Sequence, residues 1–418
     1  MPFIVVVRRV FLITLLFLPQ RFWLGSGWRR AGGLRRPTWC WIVRASLVLA
    51  AAVMMSVLFD RIFRKFLSTD LSRWIAPPAQ LWIFTSTLTF FCIKAVRAVG
   101  WLGRKLARLF ATGKMHEPQD PIRRAMIRQA ASLAGCAPFA VALYGYAWER
   151  LRFEIVRVEV PAFGLPRALD GLRIVQLSDI HVGDFMPLQD VRRAVEIANN
   201  LVPHLAVITG DFITSFGDPL AECIAELSGL RAPMGVWGCN GNHEIYAGAE
   251  EMAENLFTLN GMKLLRQSAA QVHWNGESLN LIGIDYSHDV PIIGSTLPTL
   301  KGAERLVRRD MPNILLSHNP NTFPAAAAAG VELSIAGHTH GGQVNLEILS
   351  KSWSPARFMT NFVAGLYDLP LGPSGTPSRA ASLGTSYLYV NRGLGTLGVP
   401  ARLGARPEIT LLTLRAGF

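Results

Sequence analysis

"IVQLSDIHVGD", Ile174–Asp184, ends an apolar run on an aspartate and sets a histidine two residues further on. Leu172–Leu177 has the length and branched apolar content of a buried strand. A lone Asp-x-His there could be ordinary capping of a strand end, so its meaning depends on what converges with it. Working outward, the arrangement recurs. Leu205–Thr209 is strand-like and runs into Gly210-Asp211 in "VITGDF"; Met234–Cys239 runs into "GNHE", Gly241–Glu244. Leu279–Ile284 leads to Asp285, Ile314–Ser317 to His318, and Leu333–Ala336 to "GHTHGG", Gly337–Gly342. Gln189–Asn199 and Ala221–Leu230 have helical periodicity, while Phe153–Val160 and Ser386–Val390 add strands. The pattern is α/β with strands enough for more than one sheet, and open α/β sheets bind ligands at the carboxyl ends of their strands.

Asp179, His181, Asp211, Asn242, His318, His338 and His340 are oxygen and nitrogen donors with no thiolate among them. Such a set suits manganese, iron or zinc and holds too much carboxylate and imidazole for a simple structural zinc. Seven ligands exceed the need of one ion; with Asp211 as the bridge they serve two divalent ions about 3.5 Å apart. Two such ions turn water into hydroxide and clamp the attacking and leaving oxygens of a phosphate ester. His243 is left over beside Asn242, suited to protonating a leaving group or stabilising phosphoryl oxygens. Gly210, Gly241, Gly337 and Gly341 permit sharp turns and close approach of backbone to metal or phosphate. Taken singly, "GNHE" reads as a tight turn and His338-x-His340 as loop histidines. Joined in order after successive strands, they read as one site. His116, His204, His273 and His288 join no group and read as ordinary surface or core histidines. Asp285 and Asp289 read as structural acids or supports behind the ligands.

The chain of 418 residues has a formal charge of +13. Residues 1–150 carry 22 Lys and Arg against 5 Asp and Glu, and residues 151–418 carry 20 against 24. The basic third is also the apolar one. Val43–Phe59, Leu81–Val96 and Ala130–Trp148 each approach the ~20 residues that cross a bilayer, and Met1–Leu18 is a further stretch split by Arg8 and Arg9. Buried helices of a soluble domain would need more apolar partners than 150 residues supply. The chain therefore divides into a membrane region, 1–150, with bilayer lipids as partners, and a catalytic domain, 151–418. Basic residues crowd the N-terminus and the loop between the second and third segments, which predicts an extracytoplasmic catalytic domain. Trp101–Phe110 is basic and amphipathic, suited to an anionic membrane surface. An acidic catalytic domain repels bulk nucleic acid, so no specific nucleic acid is expected. Cys40, Cys92, Cys136, Cys223 and Cys239 show neither a disulfide framework nor a Cys-x-x-Cys zinc pattern.

"LSDIHVG", "TGDF", "GNHE", "LSHNP" and "GHTHGG" together resemble the five ordered motifs of the calcineurin-like metallophosphoesterase superfamily over about Leu172–Val344. The tail "YVNRGLGTLGVPARLGARPEI" resembles that superfamily's membrane-associated bacterial branch. The resemblance implies a four-layer α-β-β-α sandwich of two mixed sheets preceded by transmembrane helices, in the bacterial cytoplasmic membrane. It implies that Asp179, His181, Asp211 and His340 hold one metal, that Asp211, Asn242, His318 and His338 hold the other, and that His243 is catalytic. Glu244 stands where many relatives have Asp. The implied activity is a phosphodiesterase or pyrophosphohydrolase acting on a phosphorylated small molecule or lipid. A lipid A enzyme cleaving UDP-2,3-diacylglucosamine is an alternative that needs a cytosolic site, against the charge count. A protein or nucleotide phosphatase is another, and a protein phosphatase needs a peptide groove. A non-catalytic membrane receptor or transport component is a third, against which the complete ligand set and spare His243 argue. Arg392, Arg402 and Arg406 in the glycine-rich tail are candidate phosphate contacts or, equally, salt-bridge partners.

Overall fold

The computed structural model describes residues 3–33, 37–58, 69–110, 121–163, 165–183, 185–286, 300–348, 351–358, 360–371 and 384–417. His116, His288, Asp289 and Phe59 lie outside them. Two compact units are present: Met1–Ala147 with Gly398–Ala401, and Trp148–Leu397 with Arg402–Phe418.

The first unit contains helices α1 (Phe3–Gly32), α2 (Pro37–Leu58), α3 (Thr69–Phe110) and α4 (Pro121–Tyr144), the last continued by a π turn, Gly145–Glu149. Pro78–Gly103 and Ala125–Glu149 are long and apolar enough to cross a membrane. They contain the second and third segments expected from hydropathy, and the first folds as α2. Polar side chains among these helices bond to one another. Gln20 Nε2 donates to Ser86 Oγ (2.8 Å), Trp23 Nε1 to the Ser86 carbonyl (3.0 Å) and Thr89 Oγ1 to the Gly135 carbonyl (3.1 Å). In an apolar medium a polar group left unpaired is costly, so these bonds fix which helix faces meet.

The second unit holds two six-stranded sheets. The first runs β1 (Glu154–Phe163), β14 (Glu408–Gly417), β2 (Arg173–Leu177), β3 (Leu205–Thr209), β4 (Val236–Cys239), β5 (Lys263–Leu264). The second runs β12 (Gly365–Pro370), β13 (Thr385–Val390), β9 (Leu333–Ala336), β8 (Asn313–Ser317), β7 (Glu277–Ile284), β6 (Ser268–Trp274). Both are mixed: β2, β3, β4 and β5 are mutually parallel and β14 is antiparallel to β2; β13, β9, β8 and β7 are parallel, and β12 and β6 are antiparallel edges. A short hairpin, β10 (Leu346–Ile348) with β11 (Lys351–Trp353), stands apart.

The period of two along each strand decides the layers. Ile174, Leu205, Val207 and Trp237 of the first sheet pack against Leu281, Ile314, Leu316 and Ile335 of the second. Their sequence neighbours Val175, Leu177, Ala206 and Ile208 face outward against α5 (Leu188–Asn199), α6 (Leu220–Leu227) and α8 (Glu250–Leu259), through Val191, Val195, Ile224 and Phe257. On the far side, Ile282 and Leu315 meet Ala326 of α9 (Phe323–Ala329), and Leu388 and Val390 meet its Phe323. Burying each such side chain contributes about 1.5–3 kcal/mol. The result is the expected α-β-β-α sandwich of two mixed sheets.

Candidate metal centre

Every candidate ligand sits just past the carboxyl end of a strand: Asp179 and His181 after β2, Asp211 after β3, Asn242 after β4, His318 after β8, His338 and His340 after β9. Asn242 and His243 open the short helix α7 (Asn242–Ala247). The turns are tight. Asp179, His181, Asp211, His338 and His340 have φ of 48°, 48°, 55°, 77° and 53°, the left-handed region that residues with a Cβ avoid. Gly241 is required by contact, since a Cβ there would lie 2.1 Å from Asp211 Oδ1; at Gly337 it would lie 2.0 Å from Ser178 Oγ.

The side chains converge on Asp211. His181 Nε2 lies 3.5 Å and His318 Nε2 3.1 Å from Asp211 Oδ2. On one side His340 Nε2 is 3.1 Å from His181 Nε2 and 3.3 Å from Asp179 Oδ1. On the other, His338 Nδ1 is 3.3 Å from His318 Nε2. The groups Asp179–His181–His340, His181–Asp211–His243 and Asp211–His318–His338 each bring their ligand atoms within 4.8 Å of one another. The first two groups share His181 and the last two share Asp211, so the three overlap into one candidate two-metal site.

The donor chemistry fits cations. His318 Nδ1 lies 2.7 Å from the Thr209 carbonyl and His243 Nδ1 2.6 Å from the Thr214 carbonyl. A carbonyl only accepts, so both Nδ1 atoms carry hydrogen and Nε2 of each is the ring nitrogen left to face the site. Two facing ring nitrogens at 3.1 Å, as in His181 and His340, share at most one proton. Asn242 Oδ1 is buried without a hydrogen-bond partner, and a buried acceptor left unpaired asks for a cation or donor. Titration agrees. Burial lowers His181 and His338 to about 3, and His340 is lowered as well. Burial raises Asp179 to about 6. At His318 burial pulls downward but is outweighed by Asp211 and Asp179, which push it up to about 10. A proton there occupies the place that a second positive charge would take.

Supporting groups surround the ligands. Ser178 Oγ donates to Asp179 Oδ2 (2.5 Å), and the His338 amide donates to both Asp179 oxygens (3.0 and 3.1 Å). Glu244, fully buried, accepts from the amides of Asp211 (2.9 Å), Phe212 (2.8 Å), Ile213 (3.3 Å) and Gly241 (2.8 Å). It thereby ties the β3 turn to the β4 turn. Asp285 accepts from Asn240 Nδ2 (2.9 Å) and Arg266 Nε (2.9 Å), a structural role behind the site. His204 stacks on Trp274 with its Nδ1 accepting from the Arg173 amide, and His273 Nδ1 bonds Ser278 Oγ, so both are ordinary histidines.

The three tail arginines, expected as phosphate contacts or salt-bridge partners, all have protein partners. Arg402 is fully buried, donating to the carbonyls of Gly393, Gly395 and Ala405, with Nη2 3.4 Å from His340 Nδ1. Arg392 pairs with Glu408 and Glu154, and Arg406 with Glu149. Arg392 and Arg406 thus form salt bridges, whereas Arg402 bonds backbone carbonyls of the glycine-rich tail. Sequence reading passed over the Thr214 carbonyl, Ser178, and the rings of Tyr246 and Tyr286. Only Tyr246 gave a signal, three residues after His243.

Residues 172–342 match the family model for the calcineurin-like phosphoesterases. A bovine transmembrane protein with a metallophosphoesterase domain is 28% identical over 395 residues, 90% of this chain and 81% of its own length. The metallophosphoesterase YkuE of Bacillus subtilis is 29% identical over 68% of this chain and 94% of its own. The phosphodiesterase YaeI of Escherichia coli is 27% identical over 70% of this chain and 98% of its own. With its motif order, paired sheets and shared-aspartate clusters, the chain carries the calcineurin-like metallophosphoesterase domain of a membrane-associated, metal-dependent phosphoric ester hydrolase.

Proposed function

We propose that this protein is a membrane-anchored dinuclear hydrolase of a phosphodiester or diphosphate. Asp179, His181, Asp211 and His340 would hold one divalent ion; Asp211, Asn242, His318 and His338 would hold the second. Manganese, iron and zinc all suit these donors. When bound, the pair supplies Lewis acidity toward phosphoryl oxygens and a water-derived nucleophile at neutral pH. The chain's own groups do the rest. Asp211, reached by histidines from both sides, fixes the spacing of the half-sites. Thr214 holds His243 Nδ1–H, so His243 Nε2 is the atom that holds a proton and passes it to the leaving oxygen. Arg402 braces His340 from behind. The observation that carries the reading is the two-sided approach to Asp211 Oδ2 at 3.5 and 3.1 Å. The printed activity of the Escherichia coli relative, a phosphodiesterase, supports an ester with two substituents. Membrane helices support a substrate carried by or near lipid.

The test is the full-length protein in detergent with Mn²⁺, assayed on bis(p-nitrophenyl) phosphate and p-nitrophenyl phosphate beside Asp211→Asn. The expected result is turnover that favours the diester, binding of two metals per chain, and a fall of about 10³-fold or more in kcat in the variant. Turnover unchanged in Asp211→Asn would sink the reading.

A further inference from the structure

Two aromatic side chains touch this centre without entering the ligand set or the proton transfer. Tyr246 follows His243 by three residues on α7 and so shares its helix face. Its ring centroid is 5.7 Å from that of His243, at 64°. Yet Tyr246 is 54% exposed, where His243 is 8%. Tyr286, next after Asp285 at the end of β7, sets its ring 5.2 Å from His338 and 6.1 Å from His318. The histidine that releases the proton and a histidine of the second cluster therefore each have an aromatic wall.

The chemistry gives the first wall a meaning. In hydrolysis the water oxygen bonds to phosphorus and the bond from phosphorus to the leaving oxygen breaks. His243 gives its Nε2 proton to that oxygen, and the proton lost by water returns to solvent. The leaving oxygen must then lie within roughly 3 Å of His243 Nε2. Its substituent begins beside the Tyr246 ring. A half-exposed tyrosine ring there offers a flat apolar face.

We propose that Tyr246 is the leaving-group subsite, with Tyr286 as the wall on the His338 side, and that the substrate is a phosphoester whose leaving group presents a ring or other flat face rather than a short alkyl chain. This rests on the hydrolase reading above. Its test needs binding alone. Full-length Mn²⁺-loaded protein is titrated calorimetrically with phenylphosphonate and with methylphosphonate, neither of which can be hydrolysed as an ester. The wild type is expected to prefer the phenyl compound by about five- to tenfold. Tyr246→Ala should bring the ratio to about one, and Tyr246→Phe should keep it, while metal content and methylphosphonate affinity stay unchanged. Tyr246→Leu serves if the alanine variant does not fold. Equal affinities in the wild type, no binding of phenylphosphonate, or an unchanged ratio in the truncated variants overturns the proposal. A preserved ratio in a protein that hydrolyses no ester would overturn the hydrolase reading and leave the subsite standing.

Discussion

Asp211 and Asp179 favour the protonated form of His318 over what burial alone would allow. Its Nδ1–H is committed to the Thr209 carbonyl, and its Nε2 faces Asp211 Oδ2 at 3.1 Å and Asp179 Oδ1 at 4.0 Å. A metal entering that cluster must displace the Nε2 proton. Calorimetry at pH 7.5 in two buffers of different ionisation enthalpy is therefore expected to read release of about one proton per chain on loading; uptake, or none, would contradict the site. The same shift sets the stability of the metal-free protein. The folded group is raised to about 10, against an ordinary histidine near 6.5. Its contribution is complete below about pH 6.5 and disappears as pH climbs through about 10, so metal-free protein should unfold at lower denaturant across that window. The candidate ligands stand out in the sequence because each is a polar interruption after an apolar strand. What holds them does not. A backbone carbonyl such as Thr214, or an amide such as that of His338, has no residue-type signature.

At the level of elements, Glu244 joins two turns that belong to different strands. Its Oε1 takes Phe212 and Ile213, and its Oε2 takes Asp211 and Gly241. Burial, with Asp211 adding to it, raises its carboxyl to about 7, and the Gly241 amide, His318 and the Ile213 amide oppose that rise. Aspartate is one methylene shorter and cannot span both turns. Glu244→Asp should lose at least one charge-assisted hydrogen bond, costing about 2–3 kcal/mol of stability. Metal affinity should also drop by about 10–100-fold, through slack at Asp211 and Asn242. Unfolding curves and a metal titration that match the wild type would refute this. Seen from sequence, Glu244 was only a minor replacement beside the site, because the distance its carboxylate must bridge exists only after β3 and β4 pair. The parallel strands β2, β3, β8 and β9 were legible as short apolar runs before turns. β14 was not read as a strand: its partners β1 and β2 lie more than 200 residues away, and no local pattern announces such pairing. β6 is a half-exposed edge, so its sequence lacks the apolar run that marked the others.

For the whole molecule, the site is where both sheets end. Asp179, Asp211 and Asn242 come from the first sheet, His318, His338 and His340 from the second, and bound ions would join the halves of the sandwich. The division into an apolar basic region and an acidic α/β region was plain from composition, whereas the pairing of Gln20 with Ser86 needed the packed helices. One local feature has a cost that only the whole chain can bear. Five of the candidate ligands occupy left-handed backbone, at about 1–3 kcal/mol each where a Cβ is present, against a typical domain stability of about 5–15 kcal/mol. The protein thus gives up resilience at the residues it uses for chemistry, and a search for hardier variants should drift toward inactive ones. His338→Gly makes this measurable. Without metal it should resist urea better than the metal-free parent, by about 1 kcal/mol after glycine's own entropy penalty, while binding one ion fewer. A metal-free variant no more resistant than its parent would mean that the tension is relieved elsewhere in the fold.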